Sequence, residues 1–440
     1  MLLHKIYHFF KRSDFYSWLK QYSKTQYLNE QELKAMQLNL LKDLLRHAYN
    51  STSYYKELFD KIDFNPELVE NLDELKNIPF LTKKTVTDNF QKITAHDIDP
   101  KRLISNSTSG STGTNFHFLT DKKSLLKRSV LNMRMDEWIG FKFGEKKLTI
   151  WGAAFDLKKK SFFKKLKFSF KRQKLLSGYN LSESDMMEYF QIMKTFNPKL
   201  ITGYPSTLKM FSEFLIKNKL NYTPKAIRTE GETLYDFQRE IISSAFNAPV
   251  YSFYSSREIS GIAHECKKQK GFHIFSENVI VEVIDEDGNS ISEGEGEIVL
   301  TDLNNFVMPF IRYKIGDRAI ISQRQCDCGI KLPLLEKIIG RSFDLIKFPN
   351  GNQVSGTFWT LLLRSKPGID DFQVNQKQNG EIDISIKTND NYNALLENEI
   401  IEQIKSFGGS ETLLSINKVR DIPITKGGKM RFVISDFKQP

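Results

Sequence analysis

The chain has 440 residues, with 64 Lys and Arg against 53 Asp and Glu, a formal net charge of +11. That length supports a large core and more than one domain, and a positive balance spread over a mixed-sign chain gives no ground for nucleic acid as a partner. Three cysteines, an odd number, argue against a disulfide framework and suit a reducing compartment.

At the N-terminus, Met1 to Lys24 is aromatic and basic, but Lys5, His8, Lys11 and Arg12 interrupt every apolar run that could serve as a signal. No later segment approaches the roughly 18 apolar residues of a bilayer span, so a cytoplasmic protein is expected. From Glu30 to Phe59, Leu33, Met36, Leu38, Leu41, Leu44, Leu45 and Tyr49 recur at helical spacing, which predicts opening helices closed off by Pro79. Next comes an unbroken run of Ser107, Thr108, Ser109, Gly110, Ser111, Thr112, Gly113 and Thr114. This composition serves a flexible linker, or a phosphate cradle in which glycines let backbone N–H groups converge and hydroxyls add donors. It is not a Walker loop, because the Gly-Lys-Ser/Thr ending is missing and Lys122 comes too late.

Beyond the run, strand and helix patterns alternate. Lys147 to Trp151 reads as a strand, Asp185 to Thr195 as a helix, Lys199 to Thr202 as a strand and Ser206 to Asn218 as a helix, which predicts an α/β core. Between them, Lys158 to Lys174 interleaves basic residues with Phe162, Phe163, Phe168 and Phe170, a composition suited either to a solvated basic loop or to an anionic partner such as a membrane surface or carrier. From about 273 to 335, short strands at Val279–Ile284 and Glu297–Thr301 flank turns at Asp287-Gly-Asn289 and Glu293-Gly-Glu-Gly296, predicting a small β subdomain. After Gly340-Arg341, a helix from Ser355 to Ser365, strands near Phe372–Val374 and Ile382–Ile386, and a helix from Asn393 to Phe407 form an α+β unit. The expected organisation is a large N-terminal α/β domain, 1–340, followed by a small mobile α+β domain, 341–440.

All three cysteines fall in one region, Cys266 and then Cys326-Asp-Cys328-Gly329, with His264 before Cys266 and His273 after it. Three thiolates and one imidazole make a closed tetrahedral set that suits a structural Zn²⁺ with no open position for catalysis. Either histidine could complete it.

Four more motifs follow the Ser/Thr/Gly run: Tyr254-Ser255-Ser256-Arg-Glu258, Arg312-Tyr-Lys-Ile-Gly-Asp317, Gly340-Arg341-Ser-Phe-Asp-Leu-Ile-Lys347, and Pro423-Ile-Thr-Lys-Gly-Gly-Lys429-Met-Arg431. In this order they resemble the adenylate-forming superfamily of acyl-CoA synthetases, adenylation domains and luciferases, within it the phenylacetate-CoA ligase branch and its CapK-like relatives. Thr202-Gly-Tyr-Pro205 and Glu230-Gly231-Glu232-Thr233 also resemble segments lining the acyl and nucleotide pocket.

The resemblance implies an ATP-dependent ligase that adenylates a small carboxylic acid, aromatic or amino acid-like, and passes the acyl group to CoA, or, as in the CapK-like relatives of surface polysaccharide decoration, to an amine or carrier. By the same resemblance the Ser/Thr/Gly run holds the phosphates, Tyr254 lies on the adenine face, Glu258 binds Mg²⁺, Asp317 takes the ribose hydroxyls of ATP or AMP with Arg341 nearby, and Lys429 reaches the α-phosphate. It also favours His273 over His264 as the zinc ligand. Trp151, Tyr204 and Phe253 are candidate walls of the acyl pocket. The chain departs from the family in three places: Asn115-Phe116 replaces the usual Pro-Lys after the phosphate loop, Ser255 replaces a glycine, and Phe343 and Asp344 leave the hinge position open. A nucleotide-binding scaffold without catalysis is the rival reading.

Overall fold

The computed structural model describes residues 13–109, 115–151, 172–178, 182–341, 346–354, 358–359, 362–363, 366–423 and 430–437. Most of the basic segment expected to meet an anionic partner, residues 158–171, lies outside them, as do Phe343, Asp344 and parts of the helix read at 355–365.

The chain opens with α1 (Ser13–Thr25), α2 (Glu30–Ser51) and α3 (Ser53–Lys61). Asn29 starts α2 with a capping box, accepting from Glu32 N while the Glu32 carboxylate accepts from Asn29 N. Leu33, Leu41, Leu44 and Leu45 form the buried stripe that their spacing predicted. Strands β1 (Ile104–Ser109) and β2 (Asn115–Thr120) then pair antiparallel, and α4 (Lys122–Trp138) follows, capped by Asp121.

A 12-stranded sheet dominates the molecule. Its parallel part contains β3 (Lys147–Trp151), β4 (Gln173–Ser177), β5 (Leu200–Gly203), β6 (Ala226–Glu230) and β7 (Val250–Tyr254), in the spatial order β4-β3-β5-β6-β7. Helices α5 (Glu183–Phe196), α6 (Pro205–Lys217) and α7 (Asp236–Phe246) cover one face, burying Leu148, Ile150, Ile201, Ile227 and Val250 against Met193, Leu208, Phe211 and Phe246. Beyond β7 the sheet turns antiparallel through β8 (Ala263–Glu265) and β9 (Phe272–Ile274), and β9 pairs with β14 (Leu334–Arg341). Strands β10 (Val279–Ile284), β11 (Ser290–Ile291), β12 (Gly294–Asp302) and β13 (Tyr313–Ser322) complete it, so the strands between 273 and 335 are hydrogen-bonded into the same sheet as the parallel core.

The short strands β15 (Ile346–Lys347) and β16 (Gln353–Val354) precede a four-stranded sheet of β17 (Ile369–Gln376), β18 (Ile382–Thr388), β19 (Leu414–Lys418) and β20 (Val433–Ser435). Helix α8 (Ala394–Gly408) packs Leu396, Ile400 and Ile404 on Phe372, Val374, Ile384 and Ile386. The mixed α/β class expected from the alternation of patterns is the class observed.

Helix α4 buries charge. Arg134 and Glu277, 1% and 2% exposed, pair through Nη1 and Oε1, and Thr25 Oγ1 donates to the same carboxylate. Arg134 also donates to Tyr22 O at 2.7 Å and lies against the rings of Trp138 and Phe275. Removing one partner of such a pair leaves an uncompensated buried charge, so Glu277→Leu should cost about 3–5 kcal/mol. Denaturant midpoints check this, with Glu30→Ala, which breaks an exposed i,i+4 pair with Lys34, expected to leave the midpoint unchanged.

Candidate functional site

From β3 the chain passes to β4 on one side and then crosses back to β5 on the other, so the winding of the sheet reverses at β3. Open α/β sheets form a crevice at the carboxyl ends of strands at such a switch point. Here those ends carry Trp151, Gly203, Glu230 and Tyr254, and the Trp151 ring lies 4.6 Å from that of Tyr204, the residue after β5.

Sequence-predicted residues converge at this edge. Tyr254 Oη donates to Asp317 Oδ2 at 2.8 Å, and both residues are buried. Strand register sets Asp317 opposite Arg341. The segment after β7 is held by its own serines: Ser256 Oγ accepts from Ile259 N at 2.9 Å and Ser255 Oγ from Gly261 N at 3.2 Å. Glu258 is buried, its carbonyl accepting from Arg128 Nη2 at 2.9 Å while that guanidinium also binds Asp302 Oδ2 at 2.9 Å. Arg257 Nη1 donates to Ser107 O at 3.0 Å, tying this segment to β1.

The register of β1 and β2 sets Ser109 opposite Asn115, flanking Gly110–Thr114, which lie outside the described residues. Thr108 Oγ1 is buried with no hydrogen-bond partner among the described residues. Gly231 has φ +84°, the left-handed region that favours glycine. Next to it, Glu232 accepts from Ser206 N at 3.1 Å, Ser206 Oγ at 3.0 Å and Met430 N at 3.0 Å. Lys429 lies outside the described residues, but its neighbour Met430 is thus anchored beside the 230–233 segment.

Sequence reading overlooked Lys83. Its Nζ is 3.6 Å from Glu258 Oε1 and 5.8 Å from the centroid of Phe116, so it places a cation beside the Ser/Thr/Gly strands where the usual loop lysine is missing. The local signal was Thr82, a helix cap that accepts from Thr85 N. What brings Lys83 to the site is long-range, the bridge from Leu81 to Tyr313.

A second cluster lies beneath the sheet. The ligand atoms of Cys266, His273, Cys326 and Cys328 all fall within 4.8 Å of one another. Cys266 Sγ is 3.7 Å from Cys326 Sγ, and Cys328 Sγ is 3.3 Å from His273 Nε2. His273 Nδ1 donates to Leu332 O at 3.2 Å, which turns the Nε2 lone pair toward the sulfurs. Backbone N–H groups of Lys268 and Ile330 donate to Cys266 Sγ and Cys328 Sγ, each at 3.4 Å. Burial lowers His273 to about 4, keeping the imidazole neutral, and pushes Cys266 up to about 12, so a thiolate there calls for a cation. Of the two candidate histidines, His273 is in the cluster. His264 Nδ1 instead faces the carbonyl of Glu265.

The fold is shared with solved acyl-CoA ligases. It matches 2-hydroxyisobutyryl-CoA ligase in the postadenylation state with a TM-score of 0.76 at 18% identity, covering 93% of this chain and 91% of that one. The same ligase in the thioesterification state gives 0.62 at 19% identity, covering 94% and 91%. Residues 347–436 match the model of the CapK C-terminal domain. The chain is 26% identical to protein CapK of Staphylococcus aureus, over 92% of this chain and 90% of that protein. It is 22% identical to a phenylacetate-coenzyme A ligase of Thermus thermophilus, over 92% and 97%. Over nine-tenths of its length the chain is thus similar to CapK and phenylacetate-CoA ligase proteins, with its C-terminal part matching the CapK C-terminal domain.

Proposed function

We propose that the protein is an AMP-forming ligase that activates a small carboxylic acid with ATP and transfers the acyl group to CoA. The observation that carries this reading is the Tyr254–Asp317 contact beside buried Glu258, with Met430 docked on Glu232, all at the carboxyl edge of the sheet. In the first step a carboxylate oxygen attacks the α-phosphorus, a P–O bond forms, the bond to pyrophosphate breaks, and acyl-AMP remains. In the second the CoA thiol, losing its proton, attacks the acyl carbon and AMP leaves. Both steps gather negative charge, which positioned cations and N–H donors stabilise.

In this reading Tyr254 presents its ring to adenine, Asp317 turns its second oxygen to the ribose, and Arg257 holds Ser107 so that the run to Thr114 meets the phosphates. Lys83 supplies the cation there. Glu258 would hold Mg²⁺, which when bound draws the phosphate charge together. The better overlap with the postadenylation state than with the thioesterification state supports assigning the observed arrangement to the first step. Residues 341–440 act as the lid that brings Lys429 in and then rotates. A second reading rests on the CapK C-terminal match: the acceptor is an amine or carrier, as in surface polysaccharide decoration.

Lys429→Ala decides the mechanism. Acyl-AMP formation, read by pyrophosphate exchange, should fall about 10²-fold or more with ATP binding retained, whereas transfer from supplied acyl-AMP should survive far better. Equal losses in both half-reactions would contradict a rotating lid, and an undiminished first step would remove Lys429 from the site.

The donor set of Cys266, His273, Cys326 and Cys328 fits a structural zinc: three sulfurs and a tautomer-fixed imidazole, with backbone N–H groups directed at two sulfurs. Purification under reducing conditions should give one zinc per chain, and Cys326→Ser should lower both zinc content and melting temperature while sparing pyrophosphate exchange in the protein that stays folded. Metal analysis showing no stoichiometric zinc overturns this.

A further inference from the structure

Strand register sorts the residues at the crevice into faces. Thr149 lies opposite Thr202, Thr202 opposite Arg228, and Glu230 opposite Phe253. Because side chains alternate along a strand, Trp151, Tyr204, Glu230 and Phe253, each two residues beyond that row or level with it, fall on one face. It is the face toward α4: Arg228 pairs with Asp136 of that helix, and Phe253 packs with Val130, Leu131 and Met135. The carboxyl ends of four neighbouring strands therefore present three aromatic rings and one carboxylate.

The four charges of this row sum to zero, Asp136 and Glu230 against Arg228 and Lys147. Asp136 takes both Arg228 Nη1 and, at 3.4 Å, Lys147 Nζ. Arg228 is 4% exposed, and its centre lies 5.2 Å from the Phe253 ring. Among the described residues, Glu230, more open at 18%, meets Arg228 through Nη2 at 3.6 Å. The least engaged charge of the group is thus an anion, and it stands at the crevice end. An anion there opposes a second carboxylate on the substrate and is poorly matched by a purely apolar acid. Aromatic walls around a carboxylate suit an ammonium group, by cation–π attraction and a charge-assisted hydrogen bond.

Resting on the ligase reading above, we infer that the acid activated is an amine-bearing one, an amino acid in the broad sense, whose ammonium group is held by Glu230 between Trp151, Tyr204 and Phe253.

Matched acids test this by ATP–pyrophosphate exchange: L-phenylalanine against 3-phenylpropanoate, 6-aminohexanoate against hexanoate, and 4-(aminomethyl)benzoate against 4-methylbenzoate. At least one amine should exceed its deamino partner in kcat/KM. Glu230→Gln should lower that amine-to-deamino ratio about 10- to 100-fold, the worth of one hydrogen bond to a charged group. A purely structural Glu230 would move both members of a pair together. Melting temperatures establish that the variant is folded, and Glu230→Asp serves the same comparison should Gln not fold. Wild-type preference for the deamino members, or a ratio unmoved in the variant, overturns the inference and leaves the ligase standing. Silence across every acid, with ATP bound, overturns the ligase reading and this inference with it.

Discussion

Helix α4 is fixed by buried ion pairs along its length, and the arrangement of the site depends on them. Arg128 reaches Asp302 at the end of β12, Arg134 reaches Glu277 before β10, and Asp136 reaches Arg228 of β6 and Lys147 of β3. These partners span the antiparallel and the parallel parts of the sheet, so the helix cannot slide without leaving a charge unpaired away from water. Each pair also supports a region of the candidate sites. Arg128 holds the Glu258 carbonyl, Arg134 lies on Trp138, whose ring meets His273, and Asp136 neutralises Arg228 beneath the crevice.

The C-terminal sheet is attached differently. Phe432 packs edge-on against Tyr235 and Phe237, Met430 N binds Glu232, and Asp371 lies 3.7 Å from Lys209. Contacts of this kind, one aromatic edge and a few polar links, are typical of interfaces between domains that move relative to one another.

Much of this was legible in the chain. The leucine stripe of α2, the alternation from β3 to α6, and the cysteines gathered within one region each follow from local chemistry: helical or strand period, capping and soft-ligand spacing. The motif order singled out Tyr254 and Asp317, and the two do meet. Helix α4 was not legible, because Lys127, Arg128, Arg134 and Asp136 are residue types that ordinarily face water, whereas all four are buried. Lys83 escaped for a related reason: one lysine among many becomes special only through the Leu81–Tyr313 bridge.

The sequence by itself therefore determined the elements, the fold class and the residue types available for nucleotide and metal chemistry, since periodicity, caps and donor sets are local properties. Tertiary structure alone decided which charges face one another. Local sequence cannot say whether a charged side chain ends in water or against a partner on a distant strand, and the desolvation cost that makes such pairs matter exists only once the chain is packed. The resemblance favoured His273 and the packed chain sets it among the thiols, whereas the pairing of Arg228 with Asp136 and the register of Glu230 opposite Phe253 exist only in the fold.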